Sequence, residues 1–324
     1  MVEFFEKKSA VGFHRRRFLK TATAAAGGAL LPQSVWSAGP PQTYNLRDDG
    51  GKNYITAVKD QEDPVPCNAC TAFAVAAAVE GTFNKFNLQS GTPSVPPTSP
   101  KLDAMELFLR TSSGPYDVGS GGCGTSHWWP KYALARCQSP APGLLEAGSS
   151  PATYKQIKGF KNLLAQGNPN PIQNLADTQE NMRCWIHSKG PVLAVMVQYE
   201  DLYAWGKNWS DAHPDMANPH VYAPGAMLPV CDTTASAPAK AQPLAASKRP
   251  RVPIVGGHVV AIVGYNNPKK YWICKNSWGA DWNGDGFVLI EQGSAGGSGP
   301  IGVGGCYIDL IDVWGVYFDN DRCP

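Results

Sequence analysis

The apolar positions of this chain change their period about halfway along. Between Cys70 and Phe86, Ala72, Phe73, Val75, Ala76, Ala77 and Val79 form a nearly continuous apolar run, which predicts a helix buried on most of its surface. A second helix is expected over Ser99–Arg110, with Leu102, Met105, Leu107, Phe108 and Leu109 apolar. Trp128–Ala135 and Asp177–His187 also read as helices. Beyond them the signal becomes β-branched and short: Val192–Val197, Val259–Val263, Lys270–Lys275 and Gly286–Ile290 are strand candidates. Helices first and strands later predict an α+β protein of two lobes, mainly helical over 39–180 and mainly β over 181–324. Thr233–Pro253, dominated by Ala, Pro, Ser and Lys without apolar period, reads as an exposed insertion ahead of a strand.

Composition adds bounds. With 324 residues, 43% hydrophobic and 17% charged, the chain can build a large core, and 34 Gly and 28 Pro fit a loop-rich fold rather than a bundle. A formal charge of +2 argues against a nucleic-acid partner. The first residues carry Arg15-Arg16-Arg17-Phe18-Leu19-Lys20, then the small, weakly apolar stretch Thr21–Leu31, then Pro32–Ala38. This arrangement resembles a bacterial twin-arginine export signal over residues 1–38; an ordinary secretory signal is the other reading, and both predict a periplasmic or extracellular destination. Its core falls short of the ~20 apolar residues of a bilayer span, and no other stretch reads as one. Nine cysteines suit an oxidising compartment, where disulfides persist, and the odd count leaves one for chemistry.

That chemistry is suggested by three runs in order: Cys67-Asn68-Ala69-Cys70-Thr71-Ala72-Phe73, Gly257-His258-Val259, and Lys275-Asn276-Ser277-Trp278-Gly279. A thiol attacks a carbonyl well only as the thiolate, so it needs a neighbouring imidazole to take its proton. An asparagine oxygen can hold that imidazole in the useful tautomer by accepting from its other nitrogen. A cysteine at the start of a helix also gains from the macrodipole, which favours the thiolate. Cys67 and Cys70 alone would equally suit a dithiol redox pair or a metal site, but no second Cys-x-x-Cys is present to complete a zinc site. No metal or organic cofactor is expected.

Together the runs resemble the papain family of cysteine peptidases, and the likeness extends from about Tyr44 to the carboxyl end, including Gly190-Pro191-Val192 and Trp282-Asn283-Gly284-Asp285-Gly286-Phe287. The resemblance implies a helical lobe bearing the cysteine and a β lobe bearing the histidine and asparagine, facing across a cleft. It implies Cys70 as nucleophile, His258 as base and acid, Asn276 as the orienting group and Trp278 as the ring over their hydrogen bond. It implies Gln61 as an oxyanion donor beside the Cys70 amide, although the Glu62–Pro66 loop is about three residues longer than usual. Val195 and Val259 would line the second subsite, and Thr125 and Ser126 replace part of a glycine pair that binds substrate backbone. Thr71 stands where the family has tryptophan. Disulfides Cys67–Cys123 and Cys231–Cys306 are implied, with no pairing for Cys137, Cys184, Cys274 or Cys323. The insertion accounts for a Cys70-to-His258 separation above the ~130–150 residues of such enzymes. The mature-like sequence follows the signal almost directly, so no inhibitory propeptide is expected and a separate protein inhibitor becomes a means of control. The partner expected is a peptide or protein substrate, cleaved through a thioester; a weakly catalytic binding or scaffold protein is the alternative.

Overall fold

The computed structural model describes residues 39–63, 67–111, 129–167, 171–203, 221–222, 252–293 and 305–323, all within the unit Ala38–Pro324. The expected signal at 1–38, Thr125, Ser126, Cys123, Cys231 and all but the last two residues of the 233–253 insertion lie outside them. In chain order the elements are β1 (Thr43–Asn45), α1 (Cys70–Phe86), α2 (Ala104–Thr111), α3 (Pro130–Ala135), β2 (Leu144–Leu145), β3 (Tyr154–Lys155), β4 (Gly159–Asn162), α4 (Leu175–Ser188), β5 (Val192–Tyr199), β6 (Val221–Tyr222), β7 (Ile254–Asn266), β8 (Tyr271–Lys275), β9 (Phe287–Glu291) and β10 (Asp312–Tyr317).

Eight strands form one sheet in the order β4-β10-β5-β7-β8-β9-β6, with β1 also paired to β7, and β2 pairs β3 separately. The sheet separates two cores because side chains alternate across it. From β5, Leu193 and Val195 join α1, α2 and α3 in one core, while Val192, Ala194 and Met196 join α4 residues Met182, Trp185 and Ile186 in the other. Burial on both faces explains why β5 reads as an unbroken apolar run. The lobes are not consecutive segments: β1 and β4, from the first half of the chain, pair with β7 and β10 from the second.

α1 spans the expected residues and is buried along Ala72, Val75, Ala76 and Val79, as its composition requires. The second helix starts at Ala104 rather than Ser99. Asp103 accepts the Glu106 N–H at 2.9 Å as a cap, and the Leu102 N–H goes instead to Glu80 Oε1 at 2.7 Å. β7 runs well upstream of the expected Val259 to Ile254, because β5 continues to pair with it as far as Tyr199.

The cysteine pairing departs from expectation at Cys306 and adds a bridge between two cysteines left without an expected partner. Cys184 and Cys323 form a disulfide with Cα atoms 6.1 Å apart, joining α4 to the carboxyl end. Cys306 is a buried free thiol, so the expected Cys231–Cys306 bridge is not formed. It sits in the hydrophobic core of the sheet with Cys274, also a free thiol, and burial pushes both well above the ordinary thiol range. No helix among the described residues is long and apolar enough to cross a membrane.

Candidate active site

Cys70 is the first residue of α1, and the Ala69 that precedes it offers no side-chain cap. The first-turn N–H groups, which have no partner within a helix, therefore stay available to the sulfur. The Cys70 thiol is free and partly exposed, whereas Cys67 is disulfide-bonded, so the two are not joined to each other. Its close surroundings push the Cys70 thiol above its ordinary value. Hydrogen bonds from the Val259 N–H, from the Thr71 N–H and hydroxyl, and from its own N–H pull in the opposite direction. The Val259 contact sets the residue after His258 against the nucleophile, and both line a cleft of about 550 Å³ together with Gln61, Val195, Thr71 and Trp278.

His258 lies on β7, opposite Met196 of β5. Its Nε2 is 2.7 Å from Asn276 Oδ1 in a buried hydrogen bond. Trp278 stacks on the imidazole, ring centroids 4.7 Å apart and planes 26° apart, and Tyr203 and Trp282 flank the indole in turn. Burial lowers the imidazole to about 4, with the Asn276 bond opposing the shift. An imidazole held this way is neutral at neutral pH and able to accept a proton.

Asn276 is placed by the chain around it. Its N–H donates to the Gly286 carbonyl at 3.0 Å. Gly286 has φ +77°, and a Cβ there would lie 2.6 Å from Val58, so this approach requires glycine. On the other side of Asn276, Lys275 is buried and donates to the Thr56 carbonyl at 2.8 Å and hydroxyl at 3.0 Å.

Gln61 reaches the cleft despite the longer loop. Its N–H donates to the Ser277 carbonyl at 2.8 Å, its Oε1 accepts from Ser277 Oγ at 2.6 Å, and its Nε2 donates to the Cys67 carbonyl at 2.9 Å. One Nε2 hydrogen remains to donate into the cleft. Ser277 was not among the expected site residues; its position between Asn276 and Trp278 was the available signal. Ser277→Ala should lower kcat about threefold to tenfold with little change in KM, the scale of one lost hydrogen bond, in steady-state peptide hydrolysis. Val195 and Val259 are register partners on β5 and β7, and both line the same cleft.

Known proteins can now be set beside this geometry. The profile of "Papain family cysteine protease" matches residues 248–306, the segment bearing His258 and Asn276. Cathepsin J of Mus musculus is 24% identical over 271 residues, 80% of this chain and 63% of the relative. Cathepsin F of Mus musculus is 24% identical over 273 residues, 83% of this chain and 46% of the relative. The chain thus spans under two thirds of the length of these relatives. Among solved structures, proCathepsin B S9 from Trypanosoma congolense superposes with a TM-score of 0.52 at 16% identity, over 89% of this chain and 81% of that one. The fold is therefore papain-like, and the segment bearing His258 and Asn276 is similar to that of papain family cysteine proteases.

Proposed function

We propose that this chain is an exported cysteine peptidase that hydrolyses peptide bonds, with Cys70, His258 and Asn276 as its working triad. The observation that carries the reading is the buried 2.7 Å bond between His258 and Asn276 in the cleft where the Cys70 thiol is free. In this reading His258 takes the thiol proton as sulfur attacks the scissile carbonyl. The oxyanion that forms accepts from Gln61 Nε2 and the Cys70 N–H. His258 then protonates the departing amine, leaving a thioester, and water activated by the same imidazole releases the acid. Asn276 keeps the ring aimed throughout, and Trp278 keeps water from the bond that aims it.

Val195 and Val259 favour an apolar side chain next to the scissile residue. Profiling a peptide library with the full chain and with Cys70→Ala tests both parts. Cleavage by the former alone, after a residue preceded by an apolar one, is expected. Identical profiles would favour the scaffold reading. Export rests on the arginine-led segment at 1–38 and predicts a processed chain outside the cytoplasm, read by the mass of its amino-terminal peptide.

The low-lying imidazole sets a pH dependence. His258 is neutral above about 4 and charged below it, so kcat/KM should hold through neutral pH and fall tenfold per unit below about 4. An acid limb near the ordinary histidine value of ~6.5 would contradict the burial account.

A further inference from the structure

We infer that Glu62 is a specificity residue of this site, its carboxylate holding a lysine or arginine side chain on the leaving-group side of the scissile bond, a role that rests on the peptidase reading above. Glu62 opens the lengthened loop that follows Gln61, and it lines the cleft with Gln61, Cys70, His258 and Trp278. Among the described residues that line this cleft it is the one Asp, Glu, Lys or Arg. The other walls are apolar or neutral, so a charged group on a substrate meets a single fixed sign there.

The backbone sets Glu62 at the Trp278 end of the cleft. The Gln61 N–H donates to the Ser277 carbonyl at 2.8 Å, Asp60 forms an antiparallel bridge with Trp278, and the Gly279 N–H donates to the Lys59 carbonyl at 3.3 Å. Residues 59–61 thus run antiparallel beside 277–279, and Glu62 continues from there, close to the indole that stacks on His258. In the peptidase reading His258 protonates the departing amine, so the residues beyond the scissile bond pass this end, while Val195 and Val259 take a side chain from before it.

The surroundings of Glu62 favour a cation. Its N–H donates to Asp60 Oδ1 at 2.8 Å, which brings a second carboxylate next to it. Partial burial, and then the Asp60 charge, push the Glu62 carboxyl above the usual carboxylate range. Lys59, the nearest basic residue in sequence, is turned away toward Glu80 and the Leu102 carbonyl. A substrate cation would pair with Glu62 and also relieve its repulsion with Asp60.

The test is kcat/KM at neutral pH and low salt for quenched fluorescent peptides that are identical up to the scissile bond, with leucine before the scissile residue. They carry lysine, glutamine or glutamate at the first or second position after the bond, and are run with the full chain and its Glu62→Gln and Glu62→Lys variants. At one of the two positions the unsubstituted chain should favour lysine over glutamine by about threefold to fivefold, the scale of an exposed ion pair, and glutamine over glutamate by a similar factor. Glu62→Gln should bring the lysine-to-glutamate ratio at that position close to one, and Glu62→Lys should invert it. Each ratio is taken within one protein, so a general loss of activity cancels. Raising the ionic strength to about 0.5 M should shrink the preference of the unsubstituted chain. The same ratio in all three proteins, or no charge preference in the unsubstituted chain, would overturn the inference and leave the peptidase reading standing. Cleavage of no peptide beyond the Cys70→Ala rate would overturn both.

Discussion

Cys70→Ala should retain the fold and lose peptide hydrolysis by about 10⁶-fold in kcat, the scale seen when a protease loses its nucleophile. The side chain is small and partly exposed, so removing its sulfur empties little core volume and the thermal midpoint should hardly move. What vanishes is the covalent path. His258 and Asn276 stay bonded and the donors around Gln61 remain, so any residual rate reflects binding and oxyanion stabilisation alone. Hydrolysis of a fluorogenic peptide over long incubation, beside thermal unfolding of both proteins, separates chemistry from stability. Residual turnover within a hundredfold of the unsubstituted chain would mean that another group does the attacking.

Glu80→Ala should cost about 3–5 kcal/mol of folding stability. Glu80, nearly three turns beyond the expected nucleophile on α1, is fully buried. Its carboxylate accepts from the Thr56 hydroxyl at 2.5 Å and the Leu102 N–H at 2.7 Å, and it pairs with Lys59. Alanine would strand the buried Thr56 hydroxyl and Leu102 N–H, while Lys59, partly exposed, would lose its counter-charge and keep its bond to the Leu102 carbonyl at 2.8 Å. In urea the transition midpoint should fall with unchanged slope, and Glu80→Gln, which keeps an acceptor oxygen, should lose less. An unaltered midpoint would show that the cluster contributes nothing net.

The same cluster connects to the site. Thr56 bonds both Glu80 and Lys275, and Lys275 precedes Asn276. Burial holds the Lys275 ammonium down to about 7, with Glu80 opposing the shift. Its folded value lies below its ordinary ~10.4, so the unfolded chain binds more protons between the two. Lys275 thus contributes a pH dependence in which stability rises from about pH 7 toward 10. His258 adds a loss as pH falls from about 6.5 toward 4, the range in which the unfolded chain alone protonates it.

Much of this was legible from the residues. The α1 boundaries followed from an apolar run dense enough to be buried all round, and the cores of β5, β8 and β9 from β-branched stretches. The start of α2 does carry a local signal, since Asp103 three residues before Glu106 is a capping signature. Other elements were not legible because they exist through partners distant in sequence. Ile254–Gly257 carries two glycines and little apolar period, and is strand because β5 lies beside it. β1, β4 and β10 are short, and pairing with β7, β5 and each other gives them their form. The Cys184–Cys323 bridge spans 139 residues, a separation that spacing cannot anticipate.

At the candidate site the sequence ordered the expected cysteine, histidine and asparagine but not the contacts that hold them. The Ser277 bond to Gln61 joins residues whose types alone carry no signal. The lengthened loop after Gln61 suggested a displaced oxyanion donor, yet the backbone pairing of Gln61 with Ser277 anchors the glutamine independently of that loop.

A peptidyl fluoromethyl ketone that carries an apolar residue next to the reactive one, reacted with the full chain and mapped by peptide mass spectrometry, should form a single thioether, on Cys70, leaving the buried thiols of Cys137, Cys274 and Cys306 unmodified and giving no adduct in His258→Ala. An adduct on another cysteine, or one formed equally well without His258, would contradict the assignment of Cys70 and His258.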